Sequence, residues 1–171
     1  IGDRFWIDVD TPQSRAHAGR SLVKGTSKPH TDGPVAKTIN RPISRMLSSL
    51  IALTPITPNA ISVVSFGLAL IGAVLFGLGD PLWAMVAGLV IQIGSILDGC
   101  DGEIARLKFQ ASPFGAWFDT VMDRYGDVAI VAGIGFGFWQ SSPGVITWMA
   151  TLFAMSGFIM YSYSRKEYSL R

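Results

Sequence analysis

The sequence has a single cysteine, Cys100, and only two histidines, His17 and His30, among its 171 residues. One cysteine cannot form a disulfide within the chain, so the fold does not depend on one, and cysteine usage leaves the redox compartment open. Both histidines lie far upstream of every other candidate ligand, and we expect them to be solvated. The chain therefore lacks the cluster of cysteine and histidine that is typical of a zinc site.

Charged residues are also scarce, since they make up 15% of the chain whereas 49% is hydrophobic. This composition is too apolar for a soluble domain of this size. Residues 60–79, 81–97 and 145–163 are uncharged, and each run is close to the length of a membrane-spanning helix. A fourth stretch, 114–139, is equally long but contains Asp119, Asp123, Arg124 and Asp127. The sequence predicts an all-α polytopic membrane helical bundle with four visible spans.

The fourteen lysines and arginines are unevenly distributed, and the connections at 79–81 and 140–144 contain none of them. The positive-inside rule therefore places the N-terminus, the second connection and the C-terminus in the cytoplasm. We expect an integral membrane protein, in the plasma membrane if the organism is prokaryotic. No dense basic face with interleaved aromatic residues is present, so we expect a lipid bilayer and no nucleic acid as its surroundings.

The polar N-terminal part predicts two segments. Residues 1–24 predict a short strand, a turn and an amphipathic helix, which together are too small to bury a core. Residues 25–33 combine Gly, Ser, Pro, Thr and Asp and predict a linker. We therefore expect residues 1–24 to be the C-terminal remnant of a larger domain.

Residues 34–53 predict a helix with one apolar and one basic face, the latter formed by Lys37, Arg41 and Arg45. This pattern favours an interfacial helix that lies in the membrane surface with its cations toward anionic headgroups. A soluble connector helix is the alternative. After it, Thr57-Pro58-Asn59 predicts the capped start of the first span, and capping is a sufficient local role for Asn59.

Four aspartates are the most unusual feature of the apolar region. An ionised aspartate at the centre of a membrane helix costs about 2.5 to 3.5 kcal/mol, so each one requires a compensating partner. Asp98 and Asp101 lie roughly 60° apart on one helix, and Asp119 and Asp123 are spaced i,i+4 on the next. Four carboxylates this close would repel one another, which predicts one or two Mg²⁺ or Mn²⁺ ions among them.

Small residues and one arginine accompany these aspartates. Gly102 and Ala105 continue the face of the first pair, and Gly115 lies one i,i+4 step before the second, so that a ligand has room. The guanidinium of Arg106 suits the oxygen atoms of a phosphate or pyrophosphate. Metal ions combined with such an arginine indicate displacement at phosphorus.

The complete spacing resembles the signature of the CDP-alcohol phosphotransferase family, with eight fixed positions over twenty-six residues, Asp98-x2-Asp101-Gly102-x2-Ala105-Arg106-x8-Gly115-x3-Asp119-x3-Asp123. The resemblance covers residues 34–171. It implies a membrane-helix fold, cleavage of a CDP-linked alcohol with release of CMP, and transfer of the phospho-alcohol to an acceptor hydroxyl. The family usually has six spans and forms dimers. We therefore expect a homodimer whose domain is truncated at its C-terminus here.

The resemblance also implies roles for single residues. Asp98, Asp101 and Asp119 correspond to metal ligands, and Asp123 corresponds to a ligand of a second ion and to the catalytic general base. The positions that correspond to CDP-alcohol contacts are Gly102, Ala105, Arg106, Gly115 and, on the cytidine side, Asn59.

Two further resemblances concern the acceptor and the N-terminus. The run from Asp123 to Asp127 and the segment Tyr163-Ser164-Arg165 are similar to members that use inositol phosphates, which implies acceptor contacts by Arg124 and Arg165; Arg124 could instead pair with a neighbouring aspartate. Residues 5–12 resemble the closing strand and helix of sugar nucleotidyltransferases, although the Gly-rich loop of that family is absent. Bifunctional relatives join a domain that makes CDP-inositol to a membrane domain that uses it for di-myo-inositol phosphate synthesis.

Two other classes also place acidic residues in membrane helices. A magnesium-dependent membrane prenyltransferase binds a pyrophosphate, but its acidic motifs are more widely separated. A cation transporter or channel would not need small residues and an arginine in this register.

Overall fold

A computed structural model of the protein describes residues 40–169 and, before them, Thr11, Ser14 and Thr38, with side chains described as far as Ser164. Five helices make up the continuous part: α1 (Arg41–Ile51), α2 (Pro58–Gly77), α3 (Pro81–Leu107), α4 (Pro113–Ser141) and α5 (Val145–Ser169). No strand occurs in this part, so the all-α prediction is confirmed. The strand predicted at 5–9, the helix after it and the linker at 25–33 lie outside the described residues.

Three helices are long and apolar enough to cross a membrane, namely α2, α3 and residues 145–164 of α5. The fourth predicted span is α4, which has 29 residues but carries the charged side chains noted above. Its length and its packing along α2 fit a spanning helix whose charges face the interior of the bundle. The structure is that of a helical membrane bundle.

The three helices α2, α3 and α4 begin in the same way, with a proline in the first turn and a polar cap before it. Ser112 and Asp80 cap α4 and α3, and Thr57 Oγ1 accepts the 3.3 Å hydrogen bond from the amide of Ala60 at the start of α2. Capping was a sufficient role for Asn59 on sequence grounds, but the structure gives that role to Thr57.

The helix α2 lies between α3 and α4 and packs against both, whereas α3 and α4 do not pack against each other in the described part of the chain. The contact with α4 is a close backbone approach. A Cβ atom added to Gly133 or Gly137 would lie 2.1 Å from the carbonyl oxygen of Ala73 or Phe76. Small residues at such a crossing let two membrane helices come together at the backbone.

The two outer helices complete the arrangement, with α5 on α4 and α1 on α3. In α1 the buried residues are Ser44 and Ser48, whereas Met46 and Leu50 are about 60% exposed. Met46 and Leu50 of the predicted apolar face therefore point away from the bundle, whereas Leu47 packs against the hydrophobic core at Cys100 and Ile104. The serines face α3. The membrane-surface position of α1 stays a prediction, and its predicted start at residue 34 lies outside the described residues.

Candidate active site

Three of the four aspartates of the motif meet across the gap between α3 and α4. Carboxylate oxygens of Asp98 on α3 and of Asp119 and Asp123 on α4 all lie within 4.8 Å of one another. Because the helices themselves do not touch, only side chains cross this gap, and α2 forms its floor. The structure thus brings together three of the four aspartates singled out in the sequence.

Asp101 lies next to this trio but outside it. Its side chain is 7% exposed and accepts a 2.5 Å hydrogen bond from Ser62 Oγ of α2. It also accepts a hydrogen bond from the amide of Gly102. Its role as a metal ligand stays a prediction.

The trio has the chemistry of a hard-cation site. Asp119 Oδ1 is buried and has no hydrogen-bond partner among the described residues, which is costly unless a cation or a donor fills the gap. Within the described part of the chain, Arg124 forms an ion pair with the trio, and its Nη2 atom lies 3.8 Å from Asp123 Oδ2. One guanidinium does not balance several carboxylates, and carboxylate oxygens are the ligands that Mg²⁺ and Mn²⁺ prefer. The residues present therefore fit a divalent ion.

One side of the aspartates faces a cavity of about 360 Å³, the larger cavity, between the start of α2, the end of α3 and the start of α4. Asp101 and Asp119 line it from the aspartate side. All five residues predicted to contact the CDP-alcohol also line it, namely Asn59, Gly102, Ala105, Arg106 and Gly115. The sequence motif and the cavity therefore coincide.

The walls of the larger cavity depend on small side chains. A Cβ atom on Gly115 would lie 3.2 Å from Ser112 Oγ and 3.4 Å from Asn59 Oδ1, which is tight. One on Gly102 would approach only the guanidinium of Arg106, at 3.5 Å. Arg106 is exposed, and its side chain makes no hydrogen bond or ion pair within the described residues, so the guanidinium donors are available to a ligand.

The other side of the aspartates faces a smaller cavity, of about 230 Å³, enclosed by α2, α3 and α4. Asp98, Asp123 and Arg124 line it. Arg124 Nη1 lies 2.8 Å from Asp127 Oδ2, so Arg124 does pair with a neighbouring aspartate, the alternative considered from the sequence. Arg165 lies on α5, and its side chain is outside the described part.

The sequence profile of CDP-alcohol phosphatidyltransferases matches residues 55–167, about two thirds of the chain. The chain belongs to this family. The family prediction made from the aspartate spacing is confirmed, and the chain contains a membrane-helix domain of the CDP-alcohol phosphotransferase family. Membership also decides against the prenyltransferase and the cation transporter.

The chain is also similar to individual proteins whose names refer to inositol phosphate synthesis or to IPC transfer and DIPP synthesis. The "Bifunctional IPC transferase and DIPP synthase" of Aquifex aeolicus is 35% identical over 171 residues, which is 98% of this chain and 37% of that protein. The protein with the same description in Thermococcus kodakarensis is 37% identical, over 95% of the chain and 36% of that protein. The "Archaetidylinositol phosphate synthase" of Pyrococcus horikoshii is 32% identical over 74% of the chain and 62% of that protein. The chain thus spans little more than a third of the bifunctional relatives.

Three residues near the family motif were missed in the sequence. Ser62 gave no signal, because a serine within an apolar helix is common. Glu103 is 4% exposed and bonded to α1, and its negative charge in an apolar helix was the available signal. Lys108 Nζ donates 2.6 Å hydrogen bonds to the carbonyl oxygens of Thr54 and Ile56, just before α2. Lys108 thereby fixes the segment that leads to Asn59.

Proposed function

We propose that this protein transfers a phospho-alcohol group from a CDP-alcohol to an acceptor hydroxyl, with release of CMP, in a reaction that depends on divalent metal. The phosphorus–oxygen bond to CMP breaks, a bond from the acceptor oxygen to the same phosphorus forms, and the acceptor proton leaves. The observation that carries the proposal is the position of the family aspartates between two cavities, with Asp119 lining one and Asp123 the other.

Asp98, Asp119 and Asp123, with Asp101 beside them, would hold Mg²⁺ or Mn²⁺, and we propose two ions. Bound metal would neutralise the diphosphate and increase the electrophilicity of its phosphorus. The close approach of three carboxylates and the unpartnered oxygen of Asp119 support this assignment.

We place the CDP part of the donor in the larger cavity. Its lining is polar or small, which suits a nucleotide diphosphate better than a hydrocarbon chain. Arg106 would bind phosphate oxygens with its unoccupied donors. Gly102, Ala105 and Gly115 would leave space for the nucleotide, and Asn59 would contact the cytidine side.

Asp123 would act as the general base for the acceptor hydroxyl. It lines the smaller cavity, on the opposite side of the aspartates from the proposed nucleotide position. A carboxylate there can take the acceptor proton while the oxygen attacks phosphorus from the side away from CMP.

We propose an inositol phosphate as the acceptor, in phospholipid or di-myo-inositol phosphate synthesis. The names of two relatives, the Pyrococcus protein and the "Phosphatidylinositol phosphate synthase" of Mycolicibacterium smegmatis, support this class of acceptor. A phosphorylated acceptor requires cations, and Arg124 and Arg165 are the candidates. Arg124 would then exchange its ion pair with Asp127 for the acceptor phosphate.

We also propose the membrane orientation of the site, the oligomeric state and the identity of the N-terminal part. We infer that the site opens to the cytoplasm, because lysines and arginines concentrate in the N-terminal part, around the second connection and after the last span. A homodimer follows from the family resemblance. That residues 1–24 belong to a nucleotidyltransferase-like domain is supported by alignment of the bifunctional Aquifex protein with 98% of the chain.

The deciding experiment is an assay of CMP release by the purified protein in detergent, with a panel of CDP-alcohols and with inositol phosphate, inositol or glycerol phosphate as acceptor. Metal is removed with EDTA and restored with Mg²⁺ or Mn²⁺. CMP formation that needs a CDP-alcohol, an acceptor and metal is expected. CMP release that persists at full rate in EDTA would contradict the metal-dependent mechanism, and a preference for another acceptor would contradict the inositol phosphate assignment alone.

A further inference from the structure

Glu103 is a buried, charged residue to which the proposed reaction gives no role. It lies on α3, two residues after Asp101, and is 4% exposed. Two residues correspond to about 200° around a helix, so Glu103 points away from the side that carries Asp101. Within the described part of the chain, the hydrogen-bond and ion-pair partners of its carboxylate all lie on α1.

Three residues of α1, Arg41, Ser44 and Ser48, contact this carboxylate. We call these three residues and Glu103 the Glu103 clasp. Ser48 Oγ donates to Oε2 at 2.8 Å, Ser44 Oγ donates to Oε1 at 3.3 Å, and Arg41 Nη1 lies 3.4 Å from Oε1. Ser44 and Ser48 are themselves fully buried. Any movement of this buried carboxylate away from its donors would leave part of its charge unpaired, which is costly. The donors therefore hold the carboxylate in one position.

The clasp fixes α1 and α3 in register with each other. Four residues before Ser44, Asn40 Oδ1 accepts a 2.6 Å hydrogen bond from Gln92 Nε2, so α1 runs alongside α3 in the same direction. Between these two points, a Cβ atom on Gly99 would lie 3.5 Å from the Ser44 side chain. The turn of α3 that begins with Asp98 therefore rests directly on α1.

The support from α1 matters because, in the described part of the chain, α4 does not pack against α3. What faces across the gap between the two helices is a set of carboxylates that repel. The contact of α3 with α2 lies on the floor of the gap. A rotation of α3 that carried Asp98 and Asp101 away from α4 would relieve the repulsion. Among the described residues, the α2–α3 contact with the Ser62–Asp101 hydrogen bond opposes this rotation on one side of α3, and the Glu103 clasp on α1 opposes it on the other.

We propose that Glu103 is a positioning residue, and that its clasp on α1 holds the Asp98 and Asp101 face of α3 at metal-binding distance from α4. The helix α1 is then part of the framework of the active site as well as a membrane-surface segment. This inference rests on the proposed metal-dependent function.

The test compares Glu103→Ala, Glu103→Gln and Ser48→Ala with Ser49→Ala, a matched control. Ser49 is exposed on the same helix, and its hydroxyl donates only to the carbonyl oxygen of Met46 in α1. Mn²⁺ binding to each folded protein is measured from the loss of the free-ion EPR signal, and CMP release is followed against Mn²⁺ and against CDP-alcohol.

Glu103→Ala and Ser48→Ala are expected to raise the half-saturating Mn²⁺ concentration about 10-fold, as loss of support behind metal ligands commonly does. Glu103→Gln keeps the length and polarity of the side chain and should lie closer to wild type, while Ser49→Ala should match wild type. A purely structural role would lower the folded fraction and leave half-saturation unchanged. If Glu103→Ala does not fold, Ser48→Ala decides.

Failure of the positioning role can be distinguished from failure of the proposed function. Wild-type protein that binds Mn²⁺ and releases CMP, combined with Ser48→Ala and Glu103→Ala proteins that have wild-type half-saturation, would overturn the positioning role and leave the proposed function intact. Wild-type protein that binds no Mn²⁺ would overturn both.

Discussion

Ser62 Oγ of α2 lies 2.5 Å from Asp101 Oδ2 of α3, and this hydrogen bond is buried. Asp101 lies beside the other three aspartates of the motif, whose carboxylate oxygens lie within 4.8 Å of one another across the gap to α4. Ser62 also lines both cavities, so it stands at the point where the proposed donor and acceptor positions adjoin. The central helix α2 therefore contributes a polar contact to the site in addition to its floor.

We expect Ser62→Ala to lower kcat for CMP release at least about 10-fold, because Asp101 loses the donor that orients it. Ser62→Thr keeps the hydroxyl and should recover most of the rate. Ser156→Ala is the control, since Ser156 donates only within α5 to the carbonyl oxygen of Leu152. Equal rates for Ser62→Ala and Ser156→Ala would show that Asp101 needs no support from α2.

Asp119→Asn is expected to abolish metal-dependent CMP release. The carboxylate provides charge that the amide cannot replace, and Asp119 has the buried oxygen without a partner. Asp80→Asn is the matched control, because Asp80 caps the opposite end of α3 and asparagine is an equally good cap. Both variants are assayed over a range of Mg²⁺ and Mn²⁺ concentrations. Undiminished turnover by Asp119→Asn would remove this residue from the metal site.

The grouping of the aspartates could be predicted from their spacing within each helix. The contacts between helices could not be predicted in this way. The i,i+3 and i,i+4 intervals fix which carboxylates share a helix face, so Asp98 and Asp123 could be expected to meet once α3 and α4 were seen as neighbours of one site. That Ser62 would be the partner of Asp101 depends on the rotation of α2, which its evenly apolar sequence leaves undetermined.

The orientation of α1 was unpredictable for a related reason. Hydrophobic periodicity identified an amphipathic helix and favoured a position in the membrane surface, but it indicated no protein partner for the polar face. In a membrane the apolar face can point toward lipid, and the polar face is then free to bind a buried charge. Ser44 and Ser48 pack against α3 because Glu103 is there, and this pairing joins positions more than fifty residues apart.

We expect Arg106→Ala to lower kcat/KM for the CDP-alcohol roughly 30-fold. This corresponds to a loss of about 2 kcal/mol of transition-state stabilisation, which is typical of a lost hydrogen bond to a charged group. Protein stability should not change, because the side chain of Arg106 is exposed and makes no hydrogen bond or ion pair within the described residues. Arg106→Lys retains the charge without the two-pronged geometry and should fall between the two. A loss of stability equal to the loss of activity would argue against a direct contact with the donor.

The position of Asp119 and Asp123 depends on the close approach of α2 and α4. In Gly133→Ala the new Cβ atom would lie 2.1 Å from the carbonyl oxygen of Ala73, so the two backbones must separate. Such overpacking costs about 1 to 3 kcal/mol of unfolding free energy. Gly88→Ala is the matched control, because a Cβ atom at Gly88 meets nothing within 4 Å.

Unfolding is followed by titration with SDS, and CMP release is measured on the folded fraction. Gly133→Ala should unfold at lower SDS than Gly88→Ala, and its half-saturating Mn²⁺ concentration should rise because α4 carries two of the three clustered carboxylates away from Asp98. If both alanine variants unfold together and bind Mn²⁺ alike, the helices cannot be as close at Gly133 as described, and the carboxylate cluster must be held together by something other than the α2–α4 contact.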